Sequence, residues 1–337
     1  MTKTLKIIYI ILVVIYPIHS VAEGIDEKWY VTPEDFGCIS NKIEAANNNS
    51  VCLQKAIDYA CSKGVKLVSA ANKKYYLEEG VVIKAPVEIN FNMGTLVATD
   101  SVDILTINDG KGKRWAGIVA GLKIDMNKKG KIGINCLNAV KLHITDCTII
   151  GIPQYGVGVN LEKGYEVFVD NVHLEGGENL STGIRVNAND CHFSDCALID
   201  CHTAVDCRGS NFFERIHAWM GPHWLNKSIC FKIRGGGPIF LHQCFSDTFD
   251  WAFDIEVATE LHISQHKNFH NKIMWNKPDD LIHPVFIRFA NEQIAKESSI
   301  HIDNSYVGGL SINNQNRQTF SNYKDTAITV TNSYIAP

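Results

Sequence analysis

The chain has no surplus of positive charge: 32 Lys and Arg stand against 36 Asp and Glu, for a net charge of −4. A nucleic-acid surface needs a basic excess or a basic stripe, so nucleic acid is not expected as a partner. Long apolar runs are also missing. The N-terminal run at residues 7–18 falls short of the roughly 20 residues that span a bilayer. Concentrated acidic clusters of the kind that hold calcium are absent too, and a metal-dependent lyase is not expected.

What the N-terminus does have is a basic start (Lys3, Lys6), the short apolar run, and then Ser20-Val21-Ala22. Small residues at −3 and −1 complete a secretory signal, so residues 1–22 are expected to be cleaved after Ala22. The mature protein would be secreted or periplasmic, with no membrane attachment. Eleven cysteines then present a problem, because an odd number cannot all pair within one chain.

Residues 190–210 read DCHFSDCALIDCHTAVDCRGS, which places Cys191, Cys196, Cys201 and Cys207 around His192 and His202. Zinc needs four ligands converging at about 2.0–2.3 Å. A repeat running through the chain argues against it. Leu142-His143-Ile144-Thr145-Asp146 has the same frame as Leu261-His262-Ile263-Ser264-Gln265 and Ile300-His301-Ile302-Asp303-Asn304. Each alternates apolar and polar residues, as a half-buried strand does, and ends on an acid or amide. The frame recurs at Asn92, Asn171, Asp195, Gln243 and Asn332. A second alternating strand follows each turn after a variable loop. Strand, tight turn, strand, loop, strand is the pattern of a parallel β-helix, whose coils bury their apolar faces only by stacking. In this frame Cys191, Cys196 and Cys207 point inward, with Cys196 in register with Cys147 and Cys244, as small buried hydrophobes. No metal and no cofactor is expected.

The segment Val31-Thr32-Pro33-Glu34-Asp35-Phe36-Gly37 resembles the opening strand of the pectate-lyase-like superfamily. An amphipathic helix follows, with Leu53, Ala56, Ile57 and Ala60 on its apolar face, Ser50 to cap its start and Gly64 its end. The resemblance implies an all-β fold, a single-stranded right-handed parallel β-helix with an N-terminal capping helix. The expected organisation is a signal at 1–22, the cap and first strands at 23–84, and the β-helix at 85–337. Members of the superfamily mostly cleave or bind acidic polysaccharides, as hydrolases or as eliminating lyases. The aspartate pair of the polygalacturonase-type hydrolases is absent: His202-Thr203 and Asp250-Trp251 stand at the corresponding places.

Two outward rows on the strand after the wide loop carry the candidate chemistry. One is Asn135, Gly158, Arg185, Asp206, Lys232 and Asp254; the other is Asn160, Asn187, Arg208, Arg234 and Glu256. With strands about 4.8 Å apart, Asp206 and Asp254 have backbones roughly 9–10 Å apart. That lies near the carboxylate separation of inverting glycoside hydrolysis, about 6.5–9.5 Å, so the two are the expected catalytic pair. Arg185, Arg208, Lys232, Arg234 and Glu256 would line the substrate path, with Asp250 and His223 from the loops. Cations can grip sugar carboxylates. Elimination would instead be led by Lys232 or Arg185, and a non-catalytic adhesive module would use the rows for contact alone. Alternating charge up a ladder is equally an ordinary way to pair neighbouring strands. A third row, His143, Phe168, His192, Phe212, Phe240, His262 and His301, would serve as a homo-oligomer interface, a sugar groove or a surface covered by loops. The loops also add Trp224 and Asp247, and the insertion at 267–283, with Trp275, Asp279 and Asp280, would wall a cleft.

Overall fold

The computed structural model describes residues 28–108, 117–177, 179–221, 227–269, 285–308 and 327–336. The signal segment, His223, Trp224, Trp275, Asp279 and Asp280 lie outside them.

Among the described residues, strands stack in parallel into two long sheets of one right-handed β-helix, one of 21 strands and one of 10. Each coil runs strand, one-residue turn, strand, loop, strand. Leu142–Thr145 and Thr148–Ile152, joined at the turn residue Asp146, lie on the larger sheet, and Val157–Leu161 lies on the smaller. The turn is a single residue in the left-handed region, which Asn and Asp tolerate best after glycine. Asp146, Asn171, Asp195, Gln243, Gln265, Asn304 and Asn332 all take it, with φ between 46° and 54°. Arg215, with φ 52°, occupies the same position and chelates Asp195 of the coil before, at 2.6 and 2.7 Å. Coil-to-coil bonds join Asn171 to Asp146 at 2.7 Å and Gln243 to Gln265 at 2.9 Å.

The helix Ala46–Lys63 closes the N-terminal end, burying Leu53, Ala56, Ile57 and Ala60, and Gly64 ends it at φ 66°. It covers backbone edges that an open coil would expose. Two local expectations change. Ser50 lies one turn inside the helix, where its hydroxyl accepts from the backbone N–H groups of Glu78 and Glu79 and so ties helix to coil. The opening strand stops at Val31, because Thr32 and Asp35 form a reciprocal cap on the short turn Pro33–Phe36.

The eleven cysteines are free thiols, and all but Cys61 are buried. Immediately after the turn, Cys147, Val172, Cys196, Ile216, Cys244 and His266 follow one another inward, linked by backbone bonds of the residues beside them. Among the described residues no three His, Cys, Asp or Glu side chains gather as metal ligands. The thiols at 191, 196, 201 and 207 are hydrophobic contents of the core.

Candidate functional site

The site grows from a local departure from strict alternation. Where the chain enters the smaller sheet, two successive residues face inward: Gly158-Val159, Gly183-Ile184, Ala204-Val205, Cys230-Phe231 and Ala252-Phe253. The first of each pair is small because the space is taken. A Cβ on Gly158 would stand 2.8 Å from the Gly183 carbonyl oxygen and 3.0 Å from Leu174 Cδ2. Period-two reading slips by one there, so Gly158 is not an outward residue. Asn160 takes its place, in register with Asn135 on one side and Arg185 on the other.

The first outward row therefore runs Asn135, Asn160, Arg185, Asp206, Lys232, Asp254 and Arg288, each in register with the next. Two residues on, Asn187 pairs with Arg208, and the flanking backbone bonds continue that row through Arg234 and Glu256. Glu162, not Asn160, is its member in the earlier coil, where it accepts from Asn187 Nδ2 at 3.3 Å.

Asp206 is the centre of this arrangement. It is only 4% exposed, with Arg234 Nε 3.0 Å from Oδ1 and Arg185 Nε 3.7 Å from Oδ2. Burial raises its carboxyl above the ordinary aspartate range; Arg234, Arg185, Lys232 and Arg208 pull the other way without cancelling that effect. Glu256 holds Lys232 at 2.8 Å and touches Arg234 at 3.8 Å. Arg208 is exposed and takes part in no ion pair among the described residues. Together Glu162, Arg185, Asn187, Asp206, Arg208 and Arg234 wall a pocket of about 400 Å³.

Asp254 stands two strands from Asp206, as the sequence spacing requires, but it does not line that pocket. It is 1% exposed and accepts from Arg288 Nη1 at 2.6 Å. Burial raises this carboxyl too, with Arg288 the main opposing influence. Asp250 lies at the start of the same strand, where its carboxylate accepts from the Ser228 backbone N–H at 2.9 Å and the Ser228 hydroxyl at 3.1 Å. Arg288 and Glu162 were missed from sequence. The signal for Arg288 was present, because Val285-Phe286-Ile287-Arg288-Phe289 repeats the frame of Cys230-Phe231-Lys232-Ile233.

The aromatic row on the larger sheet follows the expected order from His143 to His301. Its rings stack on one another, with centroids 4.6 to 5.2 Å apart and planes within 14°. Each inner ring has both faces covered by neighbours, which leaves edges outward and no free face for a sugar.

No protein-family model matches the chain, and no curated protein matches it in sequence. Solved structures do. The gp42 tailspike of Acinetobacter phage vb_AbaP_AS12 matches with a TM-score of 0.58 and 11% identity, over 92% of this chain and 62% of the tailspike. The tailspike of Escherichia coli bacteriophage HK620, solved with a pentasaccharide, gives 0.56 and 10%, over 92% and 67%. Gene product 12 of bacteriophage phi29 gives 0.51 and 8%, over 90% and 51%. The chain thus spans less than two thirds of the length of the first of these. The fold, a right-handed parallel β-helix, is the one these structures share.

Proposed function

We propose that the chain is an extracellular polysaccharide-binding β-helix that holds an anionic sugar in the Arg185–Arg208–Arg234 pocket. The observation that carries this reading is Arg208, an exposed guanidinium in no close ion pair among the described residues, at a pocket of about 400 Å³ whose other arginines lie within 4 Å of Asp206. A guanidinium fork fits the carboxylate of a uronic acid in two parallel bonds, and Asn187 offers a neutral partner for hydroxyls. The HK620 tailspike binds a pentasaccharide on the same fold, which supports a glycan as the ligand class. Processing after Ala22 would deliver the protein to that ligand.

A second reading, hydrolysis of the bound chain, is favoured by the raised carboxyl of Asp206 in the pocket wall. Such a group keeps its proton to higher pH and suits a general acid. The base would be Asp254, after release of Arg288, or Glu162, which already lines the pocket.

Titration of the mature protein with polygalacturonate and with an uncharged polysaccharide of similar length tests the first reading. Binding of the acidic polymer should fall with salt and drop by about tenfold in Arg208→Ala. Equal binding of both polymers, or full retention in Arg208→Ala, would overturn it.

A further inference from the structure

The cap at the N-terminal end holds two cysteines in one seam. Gly37, at φ 91°, ends the short turn Pro33–Phe36 and sends the chain back against the helix Ala46–Lys63. Two side chains near the start of that helix hold the returning segment. Asn48 Nδ2 donates to the Gly37 carbonyl at 3.0 Å. Asn49, fully buried, accepts from the Ile39 N–H at 2.8 Å and donates to the Ile39 carbonyl at 3.0 Å. Cys38 sits between those two anchors, with its thiol turned to the helix, 3.9 Å from the Asn49 carbonyl oxygen.

Cys52 follows Asn48 by four residues and Asn49 by three, so it shares their helix face. Its Sγ lies 3.5 Å from Asn48 Oδ1, and a Cβ on Gly37 would stand 3.6 Å from it. The sulfur therefore lies against the residue directly before Cys38. Both cysteines are buried. The Cys38 thiol is pushed up to about 12, by burial first, then by the Cys52 thiol and the Glu34 carboxylate, and by a hydrogen bond with Cys52. Elsewhere the thiols turn to the main chain. Cys147, Cys191, Cys196, Cys201 and Cys244 each lie 3.2 to 3.5 Å from the carbonyl oxygen two residues earlier. Cys61, near the other end of the helix, donates to the Ala85 carbonyl at 3.4 Å.

We propose that Cys38 and Cys52 are a cross-linking site, which closes into a disulfide in the presence of a small-molecule disulfide and pins the turn segment to the capping helix. One thiolate attacks the external disulfide, forming a mixed disulfide and releasing one reagent thiol. The second attacks the protein sulfur of that bond and releases the other. Two protein thiols are oxidised, one reagent disulfide is reduced, and the two protons pass to the released thiols. The bond narrows the unfolded chain, which favours the folded cap. Each coil of a solenoid contacts only its neighbours, so unravelling starts at an end, and a pinned cap protects the first coil. The site is independent of the reading given to the cationic pocket.

Refolding the mature protein in a glutathione redox buffer, followed by unfolding, alkylation and peptide mapping, tests this. The expected product carries one peptide pair linked through Cys38 and Cys52 and retains all its other cysteines as alkylated thiols. Its melting temperature should exceed that of the fully reduced protein, and that gain on oxidation should vanish in Cys38→Ala and in Cys52→Ala. The linked peptide is read in wild type, so the result stands even where a variant fails to fold. Eleven alkylated cysteines, a linked pair other than this one, or this pair with no thermal gain would overturn the proposal.

Discussion

Asp254 and Arg288 meet across the last two described strands of the smaller sheet, with Nη1 2.6 Å from Oδ1 and the guanidinium carbon 4.2 Å from the centroid of the Trp251 ring. The carboxylate is sealed while the arginine stays about a third exposed, so one member of the pair depends on the other more than the reverse. Removing Arg288 leaves a buried charge uncompensated. Solvent screening on the arginine side reduces the usual cost, and Arg288→Ala should destabilise by about 1–3 kcal/mol. Asp254→Asn should cost less, under about 1 kcal/mol, because it removes the charge that burial penalises. Denaturant midpoints of the two single variants and the double variant would show it; equal costs for both singles would contradict this asymmetry.

The interior thiols give a chemical readout of the fold. Burial pushes Cys147, Cys196 and Cys244 each up to about 12, so almost no thiolate exists at neutral pH. A disulfide-exchange reagent should label Cys61 slowly and the remaining cysteines only on unfolding. Cys196→Ser should lose core packing by about 1–2 kcal/mol without release of any metal. Stoichiometric zinc in the native protein, lost in that variant, would contradict a core role.

How far the sequence revealed this molecule depended on where its periodicity was regular. The turn positions were legible because one polar residue recurs after each alternating strand. Arg215 escaped because a cation fills a place otherwise held by Asn, Asp or Gln. Arg185, Asp206, Lys232 and Asp254 were placed in one row because their strands alternate cleanly after the double inward step. In the coil of Gly158 that step fell among near-identical Gly-Val pairs, and alternation alone could not locate it. Of the residues expected at the site, Arg185, Asp206, Arg208 and Arg234 line the pocket. That Asp254 stays outside it was not legible, because Arg288, which pairs with it, lies beyond the insertion in the sequence.

His266 supplies an acid-sensitive element. The ring is fully buried against Phe253 and Phe286, with Nε2 2.9 Å from the Ser246 hydroxyl and Nδ1 without a partner. Burial lowers its value to about 3. A folded value below the unfolded one near 6.5 means that the stability it contributes is complete above about pH 6.5 and is lost as pH falls toward 3. Wild type should lose at most about 1.4 kcal/mol per pH unit across that window. Between pH 6.5 and 4.5 few carboxylates with lowered values contribute, so His266→Leu should flatten the slope there. An unchanged slope would assign the acid sensitivity to other groups.

Asp206 separates binding from cleavage. Its carboxyl is buried, raised by that burial, and forms part of the pocket wall beside Arg185, Arg208 and Arg234. If it is the acid of a hydrolysis, activity on an acidic polysaccharide should be held at low pH and fall as pH rises through its raised value, because only the protonated form can donate. Asp206→Asn should then lower turnover by about 10²–10⁴-fold while leaving binding within a small factor. Asp254→Asn distinguishes the base: loss of turnover would assign the second role to Asp254 and require Arg288 to let go, whereas full turnover would pass it to Glu162. Reducing-end release without an unsaturated, ultraviolet-absorbing product would mark hydrolysis rather than elimination. If Asp206→Asn keeps full turnover on a polymer that wild type cleaves, its carboxylate serves only to hold Arg185 and Arg234 in place. The pocket would then be a recognition site whose activity, if any, comes from other side chains.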